Sequence, residues 1–433
     1  MNSNYSKHKT KFYMANSSNC KHLVKCRFCD SRDLKIALDL GIMPLAGGFL
    51  KKEDLSNEYF FPLELQFCVN CYLVQVSCVP DPKILFNEKY FFHSSSTYSL
   101  VEHFAKYADV IYNRYLHSKH RPQVLEIGCN DGVLLNPLSK LGCKVIGVDP
   151  SSSVTQKINI PDSIIKNNFF TEELSNEIFL ETGKIDAITA NFSFAHIDNM
   201  HDVMKGIVKL IKDDGIFIFE LYYLKTIIEE MNYDMIYHEH MSYYSLMTLR
   251  IFLSKYGMDI FDIEYFPRIR SGALRVHSKL ITNNKFTPSE SFLKLYESEI
   301  QLGLNTINPF IDYSNKIKKT KNDLLDLIIT LKTQGKIIVG YGASGRSTVI
   351  MNYCGINQNH IDYIVDDAVE KQGYLTPGNH IEIMTWEQMT EKCTPDYVIL
   401  FAWSFIDEVL NKRNEFRLAG GKFILPLPTV QIL

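Results

Sequence analysis

Two pairs of cysteines, Cys26-x-x-Cys29 and Cys68-x-x-Cys71, have the spacing at which a tight knuckle turns two thiolates toward one metal ion. Two such knuckles complete a tetrahedral four-thiolate shell, the set that zinc takes in structural sites. A shell closed by four cysteines keeps no position open for water or substrate, so its role is structural. The alternative is four buried free thiols. The other six cysteines, Cys20, Cys78, Cys129, Cys143, Cys354 and Cys393, lack comparable spacing and read as small apolar residues.

A second constellation is Glu126-x-Gly128-x-x-x-Gly132, between the strand-like run QVLEI and the apolar helix VLLNPLSKL. Its glycines let backbone amides approach a ligand closely, and the helix that follows favours polar or anionic groups at its start. The spacing is not the GxGxxG of dinucleotide sites. With Asp149 ending the next strand-like run, it is the pattern of class I methyltransferases, whose cofactor is S-adenosyl-L-methionine (SAM). Asp149 would accept hydrogen bonds from the ribose hydroxyls. The loop, with Asn130 and Asp131, would take the amino-acid end, and Glu126 would pair with its ammonium. Asn191, after the run KIDAITA, would border the sulfonium. The alternative is a tight turn in an α/β domain without a cofactor.

Gly340-x-Gly342-x-x-Gly345 is a second glycine loop after a strand, and Asp366 ends the next strand about 20 residues on, where a Rossmann site holds an NAD ribose. This leaves a nicotinamide-dependent oxidoreductase as a competing reading. The polar residues in and after the loop, Tyr341, Ser344, Arg346, Ser347 and Asn352, suit a nucleotide diphosphate equally well.

The third chemical cluster is MIYHEHMSYYS, residues 235–245. A histidine here can act as a general base near neutral pH, with a glutamate or tyrosine to position it or to hydrogen-bond a developing oxyanion. His238-x-His240 is also a conceivable metal pair, although no third ligand stands out. The alternative is an aromatic-rich polar loop. His196, just past Asn191, falls at the same C-terminal sheet edge, where open α/β folds collect ligands.

Positioning these groups takes more than one core. At 433 residues the chain is long enough for two to three domains. A net charge of -3 supplies no general attraction for nucleic acid or anionic membrane, and no run of 18 apolar residues predicts a membrane span. Residues 1–24 read as a flexible leader without the apolar stretch of a signal peptide, which makes cytoplasm the expected location and metal binding likelier chemistry for the cysteines than disulfides. The runs QVLEI, KVIGV, KIDAITANF and GIFIFEL alternate with helical stretches, as parallel strands with crossovers do. After a charged helical stretch over 310–335, KIIVGYG, HIDYIVDD, DYVILFAW and KFILPLP repeat the pattern. The expected architecture is an α/β protein with a zinc-binding domain over 25–90, a class I SAM-methyltransferase Rossmann-like domain over 91–300 and a C-terminal Rossmann-like domain over 301–433.

Taken together, CRFC, ALDLGIMPLAGGF, CVNCYLVQ, YFFHSSS, VLEIGCNDG, IYHEHMSYYS, GYGASGRS, QGYLTPGNHIEI and LFAW make the chain, from about Cys26 to its end, resemble the nucleotide-sugar C-methyltransferases that build branched deoxysugars. That resemblance implies a structural zinc, SAM in the middle domain, and a nucleotide-diphosphate sugar in the cleft between domains, with the second glycine loop serving substrate and not nicotinamide. It implies that His240 removes the C3 proton of a 4-keto sugar, with Glu239, Tyr237 and His196 around it. Phe92 and His93 would face the sugar. Phe92 stands where a close family member has a tyrosine, which removes one hydroxyl from that wall. A second departure is Pro267 to Arg275, where relatives carry a histidine and paired glycines and this chain has Arg268 and Arg270.

Overall fold

The computed structural model describes residues 13–14, 19–85, 95, 98–267 and 269–433. The N-terminal part runs through β1 (Tyr13–Met14), β2 (Cys20–His22), β3 (Leu34–Pro44), β4 (Tyr59–Cys68), β5 (Val74–Val76) and β6 (Cys78–Pro80). β4 pairs antiparallel with β3 and with β5. Every second residue of β4 from Phe61 to Phe67 is buried, as a sheet with one covered face requires. The turn between β4 and β5 presents Cys68 and Cys71.

β2 pairs antiparallel with β6 and brings Cys20 and Cys78 to a Cα separation of 6.1 Å, where they form a disulfide. This corrects the expectation that both are unpaired apolar residues. They lie 58 residues apart in no metal-like spacing, so only the strand pairing reveals their contact.

The central sheet contains β7 (Gln123–Ile127), β8 (Lys144–Val148), β9 (Ile164–Lys166), β10 (Ile185–Asn191) and β11 (Ile211–Tyr222). The next strand, β12 (Ser242–Tyr243), leaves this sheet and pairs antiparallel with β5 of the N-terminal part. β13 (Met258–Phe266) and β14 (Ala273–Leu280) complete the central sheet in the order β13-β14-β11-β10-β7-β8-β9. β7 to β11 are parallel, and β14 inserts antiparallel between β11 and β13. All of β10 is buried, which fits a parallel strand packed on both faces. The strand order reverses between β7 and β10, so the crevice beyond their C-terminal ends lies beside Ile127 and Asn191.

The helical stretch expected over 310–335 is the helix Asn308–Thr333, which buries Phe310, Tyr313, Ile317, Leu324, Ile328 and Leu331 along one face. It leads to β15 (Ile338–Tyr341), β16 (Ile364–Val365), β17 (Ile383–Met384), β18 (Tyr397–Leu400), β19 (Lys422–Leu425) and the antiparallel edge strand β20 (Gln431–Ile432). Their order, β17-β16-β15-β18-β19-β20, is a second doubly wound sheet. Among the described residues no helix is long and apolar enough to cross a membrane.

Candidate active site

The four cysteines of the two knuckles converge. Cys26 Sγ lies 3.4 Å from Cys71 Sγ, Cys29 Sγ lies 3.5 Å from Cys68 Sγ, and all four sulfurs fall within 4.8 Å of one another. Zinc–thiolate bonds of about 2.3 Å in a tetrahedron separate sulfurs by about 3.8 Å, so the donor set and spacing fit zinc. Cys26, Cys68 and Cys71 are buried, which suits a closed structural shell.

At the crevice, Gly128 has φ +75°, and a Cβ there would come within 2.8 Å of Ser193 Cβ, so the turn accepts only glycine without a shift. Asn191 Nδ2 donates to Glu126 Oε1 at 3.0 Å. Glu126 Oε2, Asn191 Oδ1 and Asp131 Oδ1 are buried without a hydrogen-bond partner among the described residues. Three buried acceptors beside one loop are costly when left alone and match a group that carries only donors, such as the α-ammonium of SAM. Burial pushes Glu126 up to about 8, opposed by the Asn191 hydrogen bond. Asp149 stands at the end of β8, and its carboxylate accepts from the backbone N–H groups of Asn130 and Ser151, both at 2.9 Å. Those bonds aim Asp149 along the loop that contains Asn130, Asp131 and Gly132. Asp131 Oδ2 accepts from the Ser95 hydroxyl at 2.6 Å.

The histidine cluster closes the same crevice. His240 is 1% exposed, its Nδ1 lies 2.8 Å from Met235 O, and its Nε2 is buried without a partner among the described residues. The carbonyl has no proton to give, so Nδ1 carries the hydrogen and Nε2 presents a lone pair. Burial, reinforced by neighbouring His196, holds His240 well below the usual imidazole range. His196 is pushed down to about 4 by burial, against its bond to the Glu239 backbone carbonyl. The rings of Tyr237, Tyr222 and His196 stand 4.0, 4.6 and 5.1 Å from that of His240. Glu239 is raised to about 6 by burial, and the backbone of Gly47 hydrogen-bonds its carboxyl. His238, the other half of the conceivable metal pair, faces Pro62 O at 3.2 Å on the N-terminal sheet, and no metal-ligand group among the described residues includes either histidine.

Three family models match in sequence along the chain: a zinc binding domain at residues 26–86, a methyltransferase domain at 101–262 and a C-methyltransferase C-terminal domain at 268–428. The C-methyltransferase NovU of Streptomyces niveus is 28% identical over 411 residues, covering 94% of this chain and 96% of that protein. The chain is a SAM-dependent C-methyltransferase. A ubiquinone biosynthesis O-methyltransferase of Glaesserella parasuis is 28% identical over 100 residues, which cover 22% of this chain and 42% of that one. Among solved structures, magnesium protoporphyrin IX methyltransferase from Synechocystis with bound SAM is 16% identical, covers 42% of this chain and 81% of that one, and superposes with a TM-score of 0.31.

In this C-methyltransferase the second glycine loop is largely occupied by its own protein. Asp366 Oδ2 accepts from Ala343 N at 2.8 Å and Lys371 Nζ at 3.3 Å, while Oδ1 accepts from Ala368 N. Gly345 packs on Ala46 of the zinc-bearing domain, and Thr348 donates to Ala46 O. Ser344 caps the helix Gly345–Cys354 through a reciprocal bond with Ser347, and Asn352 Nδ2 ties to Thr348 O and Pro377 O. Tyr341 donates to Asp367 at 2.6 Å. Arg346 makes a bidentate pair with buried Asp234, at 2.8 and 3.0 Å, and donates to Ser271 Oγ at 2.7 Å. The side chains of Ser347 and Asn352 are thus tied into the helix cap and the neighbouring loop, and Arg346 joins the C-terminal domain to the histidine cluster's own segment. Phe92 and His93 lie outside the described residues.

The sequence reading missed Tyr222, Asp234 and Glu220, and gave Arg270 little place. Glu220 sits opposite Asn191, fully buried between His103 Nε2 at 2.9 Å and Arg275 Nη2 at 2.7 Å. Burial opposes its charge, but Arg275 and His103 hold it below the usual carboxylate range. A signal existed for Glu220 alone: an acid at the end of the apolar run GIFIFEL.

Proposed function

We propose that this enzyme methylates carbon 3 of a nucleotide-linked 4-keto-6-deoxysugar, with His240 as the general base. The carrying observation is the unpartnered, buried Nε2 of His240, whose ring is locked by Met235 O. A ketone acidifies its neighbouring C–H by delocalising the charge onto oxygen, and a neutral imidazole in a dry pocket accepts that proton. Tyr237, with its hydroxyl kept protonated far above neutral pH by burial, can donate to the developing oxyanion. His196 and Glu239 line the same pocket, and Phe92 and His93 belong to this proposed sugar wall on the strength of the family resemblance. SAM supplies the electrophilic methyl group, and Glu126, Asn130, Asp131, Asp149 and Asn191, with the turns at Gly128 and Gly132, would hold it. Arg346 reaches Asp234, next to the pocket segment, and with Tyr341 and Ser344 would orient the nucleotide. The self-satisfied Asp366 carboxylate disfavours a nicotinamide ribose at the second loop.

The test is incubation with SAM and dTDP-4-keto-6-deoxyglucose, followed by mass and NMR analysis. The expected product is heavier by one methylene unit at C3. In D2O without SAM, wild type should exchange the C3 hydrogen and His240→Asn should not. Full exchange by His240→Asn overturns the assignment of the base.

A further inference from the structure

We propose that Arg270 and Tyr222 form an oxyanion-stabilising pair, in which Tyr222 donates its hydroxyl hydrogen to the substrate oxygen that gains charge and Arg270 polarises that hydroxyl. The inference rests on the proposed carbon methylation and adds to it a second wall of the pocket.

Tyr222 is the last residue of β11, beside the C-terminal end of β10 and the SAM crevice. Its ring lies 4.6 Å from His240 and 5.2 Å from Phe192. It therefore stands between the base and the strand end that carries Asn191. Arg270 Nη1 donates to Tyr222 Oη at 2.9 Å, and the guanidinium lies 4.5 Å over the Phe192 ring. The direction of that bond matters. Arginine has no acceptor, so the phenolic hydrogen of Tyr222 cannot be spent on Arg270 and must point to another group. A hydroxyl that accepts from a cation is also a stronger donor.

The backbone holds Arg270 in place at a conformational cost. Arg270, Ser271 and Gly272 have φ of 46°, 60° and 101° in succession. A Cβ on Gly272 would meet Thr226 Cγ2 at 2.4 Å. Arg346 and Asn232 clasp the turn through Ser271 Oγ and Ser271 O. Such strain persists where surrounding contacts over-determine it, and it clusters at functional sites. The charge of Arg270 also presses His240 and His196 toward their neutral forms, the state a base requires.

The step balances within the site. His240 Nε2 takes the proton from the carbon beside the ketone, and the C–H electron pair becomes the new C=C bond. The carbonyl π pair moves to oxygen, which accepts the hydrogen bond from Tyr222. When that carbon bonds to the methyl group, the pair returns from oxygen, the C=O re-forms, and the S–CH3 bond breaks to leave a neutral thioether.

The experiment follows C3 hydrogen exchange of dTDP-4-keto-6-deoxyglucose in D2O without SAM, on the full chain, with SAM affinity measured separately by calorimetry. Tyr222→Phe keeps the ring and should slow exchange about 10²–10³-fold, the usual loss for one oxyanion donor, with SAM affinity unchanged within about threefold. Arg270→Ala should approach the same loss, Arg270→Lys should recover about tenfold of it, and the double variant should be no slower than Tyr222→Phe. Removing the cation should also move the acid limb of the exchange–pH profile to higher pH in Arg270→Ala, a shift that a merely structural role would not produce. Wild-type exchange in Tyr222→Phe overturns the pair. Wild-type exchange in His240→Asn overturns the base instead, and a wild type inert toward the probe overturns the sugar reading together with the pair's role on it.

Discussion

The guanidinium of Arg27, set between two of the metal-ligating cysteines, lies 2.5 Å from the carboxylate of Asp198, two residues past His196. The same side chain reaches Ser242 Oγ at 3.4 Å, two residues past His240. The backbone completes the brace: Met241 N donates to Ala195 O, Met241 O accepts from Val76 N, and β12 pairs with β5. The zinc-bearing domain thereby sets the relative position of His196 and His240, the two histidines proposed for the active site, and the turn at Gly47 holds Glu239.

Stripping the metal should therefore loosen the histidine segment before the central sheet. Hydrogen exchange of residues 241–243 is expected to accelerate after chelation while β7 and β10 stay protected. Arg27→Ala should lower stability by about 1–3 kcal/mol, as for a lost hydrogen bond to a charged group, while one zinc per chain is retained. Loss of the zinc in that variant would show that Arg27 serves the knuckle and not the brace.

SAM binding should release protons. With Glu126 raised to about 8 by burial, the free enzyme at pH 7 holds this carboxyl mostly protonated. An ammonium beside it favours the charged form, so binding should expel nearly one proton, and affinity should rise about fivefold from pH 7 to 8. Calorimetry in buffers of different ionisation enthalpy reads the proton directly. In Glu126→Gln the buffer dependence should vanish, and affinity at pH 8 should fall about 10–100-fold.

The rate should bend near pH 6. Glu239 is raised to about 6 by burial, so its carboxylate takes a proton as pH falls through that value and weakens its bond from Gly47. His240, held well below the usual imidazole range, stays neutral there. With SAM saturating, methylation by wild type should decline below pH 6, whereas Glu239→Gln should stay flat from pH 8 through 5 and show no bend. A bend that survives in the variant assigns the titration to another group.

Removing Asp234 should detach the C-terminal domain. Its buried carboxylate takes two bonds from Arg346 and one from Trp403 Nε1 at 2.8 Å. Asp234→Ala leaves Arg346 without its carboxylate partner and should cost about 3–5 kcal/mol. Denaturation followed by the fluorescence of Trp386 and Trp403, both in the C-terminal domain, should shift to lower denaturant, ahead of the far-ultraviolet transition.

What could be read along the chain was local. Cys26, Cys29, Cys68 and Cys71, the Glu126 to Gly132 loop with Asp149, and the alternating strands each carry their chemistry in short-range spacing or periodicity. The zinc knuckles, the SAM dependence and two tandem α/β sheets were therefore legible in the residues alone. The same locality misled where spacing was silent. Cys20 and Cys78 meet only because β2 pairs with β6, and the loop bond from Asn352 to Pro377 has no signature in local spacing. The Tyr222–Arg270 contact and the Arg27 brace belong to no motif at all. They depend on which strand ends become neighbours, and that is decided by burying the apolar faces of distant segments together, a property of the whole packed chain and not of any stretch of it.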